Sequence, residues 1–230
     1  MKSVLLLALL LFSITLHPLA AQDRVVYTVD DYSKLDVGGV FDVYLRQGDT
    51  PSVAFEADED ILDNLKAEVQ GGRLVLSMKG NPVRLRTLFK DVNVKAYVTF
   101  TELEAIELHG AADLRGESTV RGEALKIYVH GASDMRLEVD VRDLDVRISG
   151  AADVRLEGRT DVQRAHISGA ADYYAYQLRS ERTEVQVSGA ADAKVQAREE
   201  LDAQASGAAE VRYKGSPART RLSGDVRRSD

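Results

Sequence analysis

Between Val146 and Gly158 every second side chain is apolar or absent. Val146, Ile148, Gly150, Ala152, Val154, Leu156 and Gly158 fill one set of positions. Arg147, Ser149, Ala151, Asp153, Arg155 and Glu157 fill the other. A period of two belongs to a strand with one buried face. The alternation runs unbroken through Ser149-Gly150-Ala151-Ala152-Asp153, where the inward side chains shrink. Small inward residues let a strand bend or approach a neighbouring wall, so this phrase predicts a corner, or a narrow edge, of a coil.

The phrase recurs. It stands at His109–Asp113, His130–Asp134, Ser149–Asp153, Ser168–Asp172, Ser188–Asp192 and Ser206–Glu210, with Ser223-Gly224 as a broken last copy. Glycines 110, 131, 150, 169, 189, 207 and 224 lie 21, 19, 19, 20, 18 and 17 residues apart. Such a period marks stacked units, each too small to bury a core alone. About 19 residues at roughly 3.3 Å each close a perimeter of about 60 Å around a thin apolar core. The prediction is an all-β parallel solenoid of about 19-residue coils, right-handed, with an irregular N-terminal cap. A hexapeptide helix needs a clean aliphatic hexad, which is absent, and a propeller blade needs about forty residues. Leu114, Met135, Val154, Tyr173, Ala193 and Val211 are the expected inward residues after each acid.

Stacking turns positions into columns. Asp113, Asp134, Asp153, Asp172, Asp192 and Glu210 form one; Arg115, Arg136, Arg155, Tyr174, Lys194 and Arg212 form the next outward one. A third outward column begins with Glu117, Glu138 and Glu157. Carboxylates 4.8 Å apart repel by about 0.9 kcal/mol even at the dielectric constant of water. The acids are therefore expected to pair with the neighbouring cations as ladders on a solvated face, setting register more than stability. The weaker alternative is calcium on Asp134, Asp153 and Asp172. His109 and His130 occupy one column and could begin a transition-metal site, but no third ligand is evident; they read as polar surface residues. Tyr173, Tyr174 and Tyr176 break the pattern of the fourth coil. The outward pair, Tyr174 and Tyr176, is the candidate binding patch, or else a cross-strand aromatic contact.

The N-terminal half is less regular. Aligning Gly39 with Gly150 sets Asp42-Val43-Tyr44-Leu45 on Asp153-Val154-Arg155-Leu156 and puts Phe41 at inward Ala152, as in a diverged first coil that closes the core. A strand over Val53–Ala57 and a short helix from an Asp58 cap through Leu65 follow. Two strands then meet at Gly71-Gly72. Gly80 to Lys90 reads as a basic loop with Arg84, Arg86 and Lys90, and Val92 to Phe100 as a strand. Lys2 and the apolar run Val4–Leu16 read as a signal peptide cleaved before Gln22; the run is too short to span a membrane comfortably. The organisation is thus a signal peptide at 1–21, a diverged coil and cap at 22–105, regular coils at 106–224 and a frayed tail at 225–230.

With no cysteine, disulfides, thiolate metal sites, a cysteine nucleophile and a lipoprotein anchor are excluded. The net charge of −7 shows no basic patch of the size nucleic acid requires. The absence of tryptophan leans against a carbohydrate enzyme.

The Gly-Val-Phe-Asp-Val start, the serial Ser-Gly-Ala-Ala-Asp coils and the signal peptide together resemble the head GIN domain family of auto-transporter adhesins of Bacteroidetes. The resemblance covers roughly Tyr32 to Gly224. The family's Gly-Ile-Asn stands here as Gly39-Val40-Phe41. It implies a β-helical structure likened to pectin lyases and hexapeptide acyltransferases without their catalytic residues, and an adhesive role. The resulting expectation is an exported, non-enzymatic envelope or surface module with no cofactor. It would sit in the periplasm, on the outer membrane or outside the cell, and bind a surface glycan or a protein. A β-helix polysaccharide lyase or hydrolase and a self-assembling structural protein are the alternatives.

Overall fold

The computed structural model describes residues 24–79 and 94–229. The expected signal peptide and the expected basic loop with Arg84, Arg86 and Lys90 lie outside the described residues. The strands in chain order are β1 (Arg24–Thr28), β2 (Lys34–Gly39), β3 (Asp42–Gln47) and β4 (Ser52–Glu56), then α1 (Glu59–Leu62). They continue as β5 (Leu65–Gln70), β6 (Arg73–Met78), β7 (Lys95–Phe100), β8 (Ala105–Gly110), β9 (Asp113–Gly116) and β10 (Val120–Gly131). The rest are β11 (Asp134–Gly150), β12 (Asp153–Gly169), β13 (Asp172–Gly189), β14 (Asp192–Gln196), β15 (Glu200–Gly207), β16 (Glu210–Lys214), β17 (Arg219–Ser223) and β18 (Val226–Arg228).

From β8 onward each coil pairs in parallel with the next, making a solenoid of about seven turns. The glycine phrase sets the register: Gly39 pairs with Gly110, Gly110 with Gly131, Gly131 with Gly150, and Gly150 with Gly169. Gly189 pairs with Gly207, and Ala190 N–H donates to the Gly169 carbonyl at 2.8 Å, completing the column. These glycines all have positive φ, which β-carbon-bearing residues rarely adopt, and each turns the chain at a corner. The residue two places on is small and inward: Ala112, Ala152, Ala171, Ala191 and Ala209 are buried, with buried Ser133 in the remaining coil. The expected inward residues Leu114, Met135, Val154, Tyr173, Ala193 and Val211 are all buried. One continuous apolar core runs from Tyr32 to Val211.

Phe41 occupies the inward position predicted for it, and its carbonyl accepts Asp113 N–H at 2.8 Å. Its coil is not the end of the stack. β2 pairs with β8 on one side and β6 on the other; β3 pairs likewise with β9 and β7. The coil formed by β6 and β7 therefore lies beneath the one formed earlier by β2 and β3. Antiparallel β4, β1 and β5 border that lower coil. The Phe55 ring reaches within 6.2 Å of Phe41. Helix α1 is shorter than the Asp58–Leu65 expectation, since Leu65 already begins β5. Asp58 caps with its carbonyl, which accepts Ile61 N–H at 2.9 Å; its side chain makes no capping bond. Ile61 is the helix's buried side chain, a burial worth about 1.5–3 kcal/mol.

At the other end, the tail expected to fray forms β18, with Val226, Arg227 and Arg228 paired to Val211, Arg212 and Tyr213. Ser223 falls opposite Gln204, not Ser206, so the last glycine phrase is out of register with the column.

Candidate functional site

Two outward columns run side by side along one face. The first stacks Asp42, Asp113, Asp134, Asp153, Asp172, Asp192 and Glu210. The second stacks Tyr97, Tyr44, Arg115, Arg136, Arg155, Tyr174, Lys194, Arg212 and Arg227. A strand's period of two places both on the same side of the sheet. Between them lies a shallow groove lined by Asp113, Asp134, Asp153, Arg115, Arg136 and Arg155, with Tyr174 at one end.

Among the described residues, the expected pairing of acid with adjacent cation holds only at the end of the columns. Arg212 grips Glu210 with two bonds of 2.9 and 2.8 Å, and Arg227 binds Asp225. Among the described residues, Arg115, Arg136 and Arg155 make no ion pair within 4 Å. Elsewhere on the solenoid arginines reach across coils. Arg159 clasps Asp140, Arg198 meets Glu181, Arg219 meets Glu200 and Arg221 meets Asp202. A bond to the next coil draws a guanidinium down the stack, and on the groove face the next coil presents another arginine instead.

The acids feel one another as a result. Burial, then the charges of Asp172 and Asp134, raise the Asp153 carboxyl above the usual aspartate range, and Arg155 only partly opposes them. By contrast, the hydrogen bond from Arg159 holds Asp140 below that range. Each coil supplies one acid to the column. Calcium, which takes six to eight oxygens, would find only adjacent single carboxylates at Asp134, Asp153 and Asp172.

Tyr174 and Tyr176 both reach the surface, though their polar ends and ring faces are engaged. The Tyr174 ring lies between the Arg155 guanidinium at 5.0 Å and the Lys194 ammonium at 4.8 Å. Its hydroxyl donates to Asp172 at 2.7 Å, and that bond pushes its pKa up to about 12. It thus separates like charges within the column as a cation–π spacer. Tyr176 occupies a one-residue irregularity where Arg155 pairs with Tyr174 but Glu157 pairs with Gln177. Lys214 covers its ring at 4.9 Å and its hydroxyl meets Ser229 at 2.6 Å.

On another face His109 and His130 stack, ring centres 5.5 Å apart and nearly parallel. Sequence spacing placed them together; it could not show that β2 brings Asp36 beside them.

Residues 31–217 match the family described as "Putative auto-transporter adhesin, head GIN domain". The chain belongs to the head GIN domain family. Solved structures share its fold. A putative adhesin of Bacteroides fragilis is 23% identical, with a TM-score of 0.79 over 91% of this chain and 98% of its own. A putative adhesin of Parabacteroides merdae is 21% identical, with a TM-score of 0.69 over 90% and 96%. A putative lipid binding protein of Parabacteroides distasonis is 18% identical, with a TM-score of 0.61 over 90% and 96%. No protein of curated function matches significantly. Among the described residues of this head GIN domain, no helix is long and apolar enough to cross a membrane.

Proposed function

We propose that this head GIN domain is an exported, non-catalytic envelope or surface module that holds a glycan along the groove between its acid and arginine columns. The signal-peptide pattern supports export, and membership of an adhesin-type family supports a surface role. The observation that carries the binding site is the consecutive run Arg115, Arg136 and Arg155, none of them in an ion pair among the described residues, set against Arg159, Arg198, Arg219 and Arg221, which clasp acids of a neighbouring coil. Guanidiniums donate to ring oxygens and carboxylates, while the facing aspartates accept from hydroxyls. Repeating donors and acceptors about 4.8 Å apart suit a repeating chain laid parallel to the solenoid axis. Tyr174 ends this run, and Tyr176 is the next outward residue along its strand.

The test is binding of the mature protein to a panel of acidic and neutral glycans, repeated with Arg136→Ala/Arg155→Ala and with Tyr174→Ala. Binding that falls at least about tenfold in the double variant and weakens with salt supports the groove. Unchanged binding in both variants removes the groove from the account. Protease accessibility on intact cells separates a surface location from a periplasmic one.

A further inference from the structure

Asp36 on β2 and Glu107 on β8 are paired neighbours across coils, and His109 follows Glu107 on the same side of β8. One oxygen of each carboxylate faces His109. Asp36 Oδ1 is 3.9 Å and Glu107 Oε2 is 3.7 Å from His109 Nε2. One donor atom from each of the three residues lies within 4.8 Å of the others. The opposite oxygens are held by a single guanidinium. Arg73 Nη1 is 2.7 Å from Glu107 Oε1 and 3.5 Å from Asp36 Oδ2. Arg73 comes from β6, paired to β2 on the far side from β8. It fixes both carboxylates and leaves their other oxygens converging on the imidazole.

The surroundings keep the imidazole oriented and the approach open. His130 stacks on the ring of His109, and His130 Nδ1 is fixed by the Ser149 hydroxyl at 2.6 Å. On the other side the residue paired with His109 is Gly38, where an added Cβ would meet nothing within 4 Å. The backbone position beside His109 on that coil therefore carries no side chain, and the space around it is open.

We propose that Asp36, Glu107 and His109 bind one divalent transition-metal ion of the zinc type. Two carboxylate oxygens and one imidazole nitrogen are donors that zinc accepts, and solvent supplies the remaining position. Ligand atoms on zinc stand about 2.0–2.2 Å from the ion, so the three donors close in by only a few tenths of an ångström to about one ångström. The imidazole separates this site from a calcium site, whose ligands are oxygens. Arg73 is a positioning residue, orienting the carboxylates from behind as outer-shell partners do. The site lies on a different face from the proposed glycan groove and does not depend on that reading.

The test is zinc binding to tag-free mature protein, followed by calorimetry, with the visible spectrum of a Co²⁺-loaded sample reporting nitrogen and oxygen ligation. Expected are one ion per chain, loss of binding in His109→Ala and in Asp36→Asn/Glu107→Gln, and a 10–100-fold loss in Arg73→Ala. His166→Ala, on the same column as Glu107 but several coils away, should bind as the unaltered protein does. His109 is nearly half exposed, so its variant should keep the native circular dichroism and melting temperature without metal. Equal zinc affinity in the unaltered protein and both ligand variants overturns the site. Tighter binding in Arg73→Ala overturns the positioning role, because the guanidinium would then be a competitor for the same oxygens.

Discussion

A β-carbon on Gly169 would stand 2.5 Å from the carbonyl oxygen of Gly150, the residue paired with it on the coil below. That carbonyl already accepts Ala170 N–H at 2.8 Å, so it cannot swing aside without breaking the ladder. Gly169 also has φ of +94°. Gly169→Ala should therefore lose at least about 2 kcal/mol, lowering the melting temperature by about 5 °C. Gly38→Ala, with open space around it and no positive φ, should leave the melting temperature unchanged. Thermal denaturation of the two variants side by side decides this; equal losses would mean that the glycine column is not what sets the corners.

One buried polar pair invites a double-mutant cycle. Gln163 Nε2 donates to the Tyr173 hydroxyl at 2.7 Å, and both residues are fully buried. Gln163 pairs with Leu144 and Thr183, and Leu144 with Leu125, so the pair interrupts an inward column. Tyr173→Phe strands the glutamine amide and should cost about 1–3 kcal/mol. Adding Gln163→Leu should recover most of that loss. Urea denaturation of the single and double variants measures the coupling; strict additivity would contradict it.

Asp153 should make the fold less stable as pH rises. Its folded carboxyl is raised by burial and by Asp172 and Asp134, so the folded chain keeps this proton where the unfolded chain has released it. Stability from this group is lost as pH climbs from the ordinary aspartate range through the raised value, and the penalty is full above it. Discounted for solvent screening, Asp153→Asn should gain about 0.5 kcal/mol or less at neutral pH and nothing below the aspartate range. Denaturant melts across that range would show a flatter pH profile for the variant; an identical profile would contradict the like-charge account.

The final coil guards the open end of the stack. β17 and β18 pair on one side only, and they carry Arg219, Arg221, Arg227 and Arg228. Cationic edge strands resist pairing with another copy. Deleting 217–230 also removes Ser229, the partner of Tyr176, and bares β15 and β16. Sedimentation of the truncated chain should show association that grows with concentration, while the full chain stays at one size over the same range.

The coils were legible because a glycine at positive φ and an inward alanine leave a mark that recurs at a fixed distance. Tyr173 and Phe41 could be placed inward by register alone. The lower coil of β6 and β7 was not legible: its strands carry no glycine phrase, and nothing local says that Arg73 lies beside Asp36. The ion pairs were only half legible. Columns follow from backbone register, but whether Arg155 turns to Asp153 or to the Tyr174 ring depends on side-chain choices that period does not encode. For the same reason two histidines could be placed in one column while Asp36, many residues earlier, could not be joined to them.

The chain lays down β2 and β3 before it builds the coil beneath them, and only then climbs into β8 and β9. Sequence order is therefore not stacking order: the coil of β2 and β3 is covered on one side by β6 and β7 and on the other by β8 and β9. All later coils extend the rod on the β8 and β9 side, so adding or deleting whole repeats past β9 would change its length without altering the coils beneath.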